Sequence, residues 1–241
     1  MDYSFINSYD LFLKKKYDLH KNTINKYHSR LRTILLKALA EGQLSKQPYA
    51  NFKLNTVKTN REFLSQDELN KIVHLDLSHN QSLDKVRDLF IFSVYTGLRF
   101  QDAQDLSIEN LATYKTKASL KFIQQKTGRA IEIPLLMQPK HIIEKYKNFP
   151  ERIILNKLLP KISNQKVNSY LKIIGDLAGL NRDITHHIAR HTFATTICLN
   201  NNMPLEDLSM LLGHSSIKTT QVYGKITQER LFQSMNRLKS K

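Results

Sequence analysis

Residues Ile184 to Tyr223 read ITHHIARHTFATTICLNNNMPLEDLSMLLGHSSIKTTQVY, and the rest of the chain is organised around this stretch. His187 and Arg190 are three residues apart, so on a helix they share a face and offer two cation-capable groups to one anionic oxygen. Gly213 reads as the stop of a helix that begins near Pro204, and His214 follows it at once. Tyr223 ends a short polar segment, outside any apolar stripe. A phenol set among cations is a candidate nucleophile, because the cations favour its phenolate.

The composition narrows the partner. The chain has 241 residues, enough for two domains or one large one, and is 41% hydrophobic, enough for a core. Its net charge of +16 points to a polyanion, with nucleic acid favoured over a membrane surface. No apolar run is long enough to span a bilayer, and no signal peptide leads the chain, so no membrane partner is expected. The single cysteine, Cys198, cannot form an internal disulfide and reads as a small buried residue of a reducing cytoplasm. Neither a zinc-type Cys/His spacing nor a Walker-type glycine loop is present, so no metal and no nucleotide cofactor are expected.

Outward from the central stretch, the elements read as follows. Residues 2–16 are helical by pattern, with Phe5, Ile6, Tyr9, Phe12 and Leu13 on one side. Asn22 is placed to cap a second helix carrying Ile24, Tyr27, Leu31, Ile34, Leu35 and Ala38, with Lys26, Arg30, Arg32 and Lys37 on its other side. Those cations form either a solvated face or one that lies along a phosphate backbone. Residues 43–62 carry no clear periodicity. Ser65-Gln66-Asp67-Glu68 then fits a capping box, with Leu64 and Leu69 as its staple. A strongly apolar helix over 84–95 ends at Gly97, and Arg99 comes two residues later. Ala118 to Pro134 is the strand region, turning at Lys126-Thr127-Gly128-Arg129 with Gly128 free to take positive φ. Helices follow at 136–147, 164–178 and 227–238.

The run His187-Ile-Ala-Arg190-His191-Thr192-Phe193-Ala194-Thr195, with Leu212-Gly213-His214-Ser215-Ser216-Ile217 and Thr219-Thr220-Gln221-Val222-Tyr223, resembles the C-terminal signature of the tyrosine recombinases, the phage integrase family. Thr96-Gly97-Leu98-Arg99-Phe100-Gln101-Asp102 resembles that family's first arginine block, although the family more often has glutamate at Asp102 and a small residue at Phe100. The resemblance implies a mainly α fold with a small antiparallel β-sheet (α+β). It implies a partial helical core DNA-binding domain over 1–50, either truncated at its N-terminus or unusually short there, with truncation the first expectation, then a linker over 51–62 and a catalytic domain over 63–241.

The same resemblance implies a catalytic set of Arg99, Lys126, His187, Arg190, His214 and Tyr223, supported by Asp102. The two arginines would clamp the non-bridging oxygens, His214 would donate one more bond, and Tyr223 would attack. His187 would act as base and Lys126 as general acid to the 5′-oxygen, with Arg129 next in line if Lys126 does not serve. Lys26, Arg30 and Arg129 are the expected DNA contacts. The implied product is a 3′-phosphotyrosyl link with a free 5′-hydroxyl, formed without metal.

Integration and excision of a mobile element are the first reading. The alternatives are a DNA invertase or dimer-resolving recombinase, a type IB topoisomerase, and a catalytically silent DNA-binding relative. Double-stranded DNA is the implied partner, bound by a homo-tetramer on two sites, with accessory DNA-bending proteins. Without DNA a monomer or weak oligomer is expected, in the cytoplasm at the nucleoid. The last helix would dock on its own domain or on a neighbouring protomer. The remaining histidines match no required role, and His191 reads as a hydrogen-bonded core residue.

Overall fold

The computed structural model describes residues 2–57, 61–115, 117–224 and 235. They fall into two units, Met1–Asn60 and Arg61–Lys241.

The first unit holds α1 (Tyr3–Tyr17) and α2 (Lys21–Ala40). Asp2 caps α1 by accepting from the Phe5 amide. The expected cap of α2 is corrected. The helix starts two residues earlier, and the His20 ring nitrogen accepts from the Asn22 amide. Asn22 instead pairs with the backbone of Val57, donating to its carbonyl at 2.8 Å and accepting from its amide at 2.9 Å. The apolar stripe of α2 is also narrower than its spacing suggests. Ile24 and Leu35 are buried, while Tyr27 and Ile34 are exposed.

Two helices alone cannot enclose a core, and the aperiodic residues after α2 complete it. Tyr49 is buried with Ile6 and Leu35, and Phe52 packs against them. His28 lies fully buried, its Nδ1 2.8 Å from the Tyr49 hydroxyl and its Nε2 3.2 Å from Asp10. A buried polar group needs such partners, which explains why a histidine is tolerated there.

The second unit is built on α4 (Gln81–Thr96). Val86, Leu89, Phe90, Phe92 and Val94 are buried on several sides of it, as expected of a helix surrounded by others. It packs against α6 (Met137–Lys145), α8 (Asn164–Leu177) and α9 (His186–Thr192). Ahead of it, α3 (Gln66–Val73) begins with the expected capping box, and Leu64 and Leu69 are both buried. After it come Gly97 and α5 (Phe100–Asp105).

The strand region is larger than the hairpin read from sequence. Three antiparallel strands, β1 (Leu111–Tyr114), β2 (Lys117–Ile123) and β3 (Ala130–Pro134), pair in that order, with Leu120 opposite both Leu111 and Ile133. The short β1, the LATY segment, is too brief to show alternation. A further short helix, α7 (Pro150–Leu155), also went unread.

Beyond α9 the backbone widens into a π-helical segment, Phe193–Cys198, and then α10 (Leu205–Leu212) and α11 (Ile217–Thr220) follow. Phe193, Cys198, Leu199, Leu208, Leu212 and Tyr223 form a second small core. Cys198 is buried, and burial pushes its thiol up to about 12. The helix expected over 227–238 lies outside the described residues except for Met235. Among the described residues, no helix is long and apolar enough to cross a membrane.

Candidate active site

Two glycines set the geometry. Gly97 ends α4 at φ +69° and Gly213 ends α10 at φ +63°, the left-handed conformation that favours glycine. A helix end leaves carbonyls without intrahelical partners. Arg190 takes one from each: Nη1 donates to Gly97 O at 2.8 Å, and Nη2 to Leu212 O at 2.6 Å. The buried guanidinium thus ties together the helix ends that lead into Arg99 and His214. Burial, and then the charge of Arg99, push Arg190 down to about 10, so it stays protonated at neutral pH.

Gln124, buried beside the turn after β2, joins the third element to these two. Its Nε2 donates to Leu212 O at 3.2 Å, and its Oε1 accepts from Arg99 Nη1 at 3.0 Å. Asp102 is buried. One carboxylate oxygen accepts the Gln125 amide at 3.1 Å, and the other lies 3.8 Å from Arg99 Nη1. Asp102 therefore anchors the turn carrying Lys126 more directly than it orients Arg99. Lys126 is exposed on that turn, and its charge helps to lower the His187 pKa. Gly128 takes positive φ there, as read from the sequence. Arg129 donates to the His214 carbonyl at 2.7 Å.

The sequence reading made His214 a donor, and the structure gives it a different present state. Arg190 Nη2 lies 3.2 Å from His214 Nε2. A guanidinium can only donate, so Nε2 accepts, and the ring proton sits on Nδ1, 2.8 Å from Thr220 Oγ1. Burial first, then Arg190, Arg99 and Arg61, push His214 down to about 4.

Tyr223 is buried at 7% exposure. Its hydroxyl has two partners that sequence reasoning did not assign to it. Arg61 Nη1 donates to it at 3.1 Å, with the guanidinium 5.2 Å from the ring centre. His191 Nδ1 lies 3.0 Å from it. His191 is thus buried and hydrogen-bonded, as expected, but its bond is to the candidate nucleophile. His187 faces solvent, its ring 4.5 Å from that of His191, and burial followed by the Arg190 charge lowers its pKa. The structure gathers Arg99, Arg190, His214 and Tyr223 into one bonded or ring-stacked cluster, with His187 reaching it through His191.

The phage integrase family profile matches residues 62–230. The chain belongs to the phage integrase family. The phage integrase SAM-like domain profile matches residues 1–54. The tyrosine recombinase XerD of Oceanobacillus iheyensis is 28% identical over 238 residues, spanning 92% of this chain and 77% of that protein. Among solved structures, the Tn1549 transposon integrase in complex with circular intermediate DNA superposes with a TM-score of 0.75 at 20% identity, covering 98% of this chain and 85% of that one. The XerH recombinase bound to palindromic difH substrate gives a TM-score of 0.74 at 19% identity, covering 98% and 72%. The mainly α fold with its small antiparallel sheet is the fold of these integrases. This phage integrase family member is a tyrosine-type site-specific DNA recombinase.

Proposed function

We propose that this recombinase cuts and rejoins double-stranded DNA through Tyr223, in the integration and excision of a mobile element. The observation that carries the reading is the Tyr223 hydroxyl, bonded to Arg61 and His191 beside a cluster that holds Arg190 and His214. Tyr223 Oη attacks the phosphorus in line, and the 5′-oxygen leaves. Arg99 and Arg190 hold the non-bridging oxygens, where the negative charge collects. His214 turns from accepting to donating once Arg190 engages the phosphate. Lys126 gives the leaving oxygen its proton, and its exposed turn leaves it free to reach into a groove. His187, read from the sequence as the base, meets Tyr223 only through His191 and relays protons between that ring and water, and Asp102 fixes the Lys126 turn.

The product is a 3′-phosphotyrosyl link. It keeps the phosphodiester energy, so a 5′-hydroxyl from a second duplex can reverse the step. No metal or other cofactor enters this scheme. A homo-tetramer on two sites performs the exchange, helped by accessory DNA-bending proteins, at the nucleoid. Lys26 and Arg30, exposed on α2, and Arg129 follow the phosphate backbone. A nicked duplex carrying the target site tests the reading: a detergent-stable adduct that disappears with Tyr223→Phe is expected, and an adduct surviving that change refutes it.

A second reading, resolution of replicon dimers, is favoured by the similarity to XerD. A supercoiled plasmid with two copies of the site separates the two. Resolution into circles without an attachment-site partner favours the second.

A further inference from the structure

We propose that His191 is the group that takes the proton from the Tyr223 hydroxyl, and that Arg61 holds the oxygen as it becomes anionic. The inference rests on the reading of Tyr223 as the nucleophile.

Hydrogen-bond polarity carries the argument. The hydroxyl has one proton to give and lone pairs to receive. Arg61 Nη1, at 3.1 Å, can only donate, so it occupies a lone pair. With the His191 ring proton on Nε2, the tautomer this proposal requires, the phenolic proton goes to Nδ1, at 3.0 Å. That distance is within direct transfer range, without an intervening water. His187, by contrast, faces solvent and meets His191 ring to ring.

The charges around His191 set the timing. Arg61 comes from the segment before α3, His187 and Arg190 from its own helix, and Tyr223 from the far end of the unit. Burial, and then His187, Arg61 and Arg190, push His191 down to about 4, so at neutral pH the ring is uncharged and its lone pair is available. An imidazole held that low leaves the proton on the phenol at rest. A phosphate between Arg99 and Arg190 brings negative charge next to the cations that hold the ring neutral, and so raises its proton affinity. The proton then passes from Tyr223 Oη to His191 Nδ1, giving an imidazolium. The phenolate oxygen bonds to phosphorus, and the P–O5′ bond breaks with the electron pair on the 5′-oxygen. Reversal returns the proton to Tyr223.

Arg61 is held in place by the chain that follows it. The Leu64 amide donates to Thr192 Oγ1 at 3.0 Å, and the Leu64 carbonyl accepts from Thr196 Oγ1. Both threonines continue the helix that carries His191.

The test is single-turnover adduct formation on a nicked duplex. His191→Asn keeps a polar atom near the hydroxyl but cannot accept the proton. It is expected to slow cleavage by about 10²–10⁴-fold, and substitution of a 5′-bridging sulfur for the leaving oxygen is expected not to restore the rate. Lys126→Ala, on the same substrate, is expected to be restored. Imidazole added to His191→Ala is expected to recover part of the activity. A His191→Asn rate near the parent's, or a smaller loss than His187→Asn shows, overturns the proposal. An adduct from Tyr223→Phe overturns the underlying reading instead.

A measurement on the unsubstituted protein covers the case in which the His191 variants do not fold. Nitrogen NMR, with the His191 signal assigned by its shift in Tyr223→Phe, is expected to show a bare Nδ1 and a protonated Nε2. A proton on Nδ1 overturns the proposal, since that nitrogen would then have no lone pair to offer.

Discussion

Arg190 Nη1 donates to the Gly97 carbonyl at 2.8 Å, so the guanidinium expected to meet the scissile phosphate also caps the helix that leads to Arg99. Binding and folding share this side chain. Lysine keeps the charge but cannot reach two carbonyls with a planar fork. Arg190→Lys is therefore expected to slow adduct formation by about 10²–10³-fold and to lower unfolding free energy by about 1–3 kcal/mol. Urea titration beside the cleavage assay checks both, and loss of activity with unchanged stability would mean that the cap contributes nothing.

Gly97 itself has no room for a side chain. A Cβ there would sit 2.4 Å from Phe193 Cδ1, on a backbone already at φ +69°. Gly97→Ala is expected to destabilise the protein by about 1–2 kcal/mol through the left-handed backbone and by about 1–3 kcal/mol more through overpacking. Thermal unfolding measures this. A melting temperature equal to the parent's would show that the ring moves aside freely.

Tyr223→Phe removes only the hydroxyl that Arg61 and His191 hold. DNA affinity is expected to stay within about twofold, since phosphate contacts dominate binding, while the covalent adduct vanishes. Gel shift and denaturing electrophoresis on the same sample separate the two effects.

Several histidines make stability depend on pH. Burial pushes His186 down to about 3, and burial with nearby cations pushes His191 and His214 to about 4, from an ordinary 6.5. As pH falls below 6.5, the unfolded chain binds protons that the folded chain refuses, so stability decreases down to those lower values and is fully present above 6.5. The urea midpoint should drop steadily from pH 7 to pH 4.5, and His186→Gln should flatten the drop. A constant midpoint over that interval contradicts the assignment.

Salt and chelator address DNA binding and chemistry separately. With a net charge of +16, DNA affinity should fall steeply and linearly in log–log form as salt rises. Cleavage should be unaffected by EDTA, because arginines, histidines and a lysine are assigned each charge and proton. A flat salt response would argue against a phosphate-tracking surface, and strong inhibition by EDTA against the metal-free scheme.

Features that depend on near neighbours were legible in the sequence. The capping box at Ser65, the apolar α4 stopping at Gly97, and the α10 stop at Gly213 all follow from residues within a few positions of each other. The LATY strand, the α7 helix and the packing of Tyr49 were not, because none has a repeating pattern. The site divides the same way. Arg99, Arg190, His214 and Tyr223 announce themselves by local motif. Arg61 is 162 positions from Tyr223 in sequence and looks like any linker cation. His191 looked like core because it is core, and only its partner reveals more. Gln124 follows the last residue of β2 and gives no sign of bridging Arg99 to Leu212.

The two bonds from Leu64 to Thr192 and Thr196 carry one last consequence. They rivet the incoming polypeptide to the scaffold beneath the nucleophile, only three residues past Arg61. The place of the cation beside the Tyr223 hydroxyl therefore depends on two threonine side chains that touch neither group. Thr192→Val, which removes one rivet while keeping the volume, should loosen Arg61 and slow cleavage without abolishing DNA binding; unchanged cleavage would show that Arg61 keeps its place unaided.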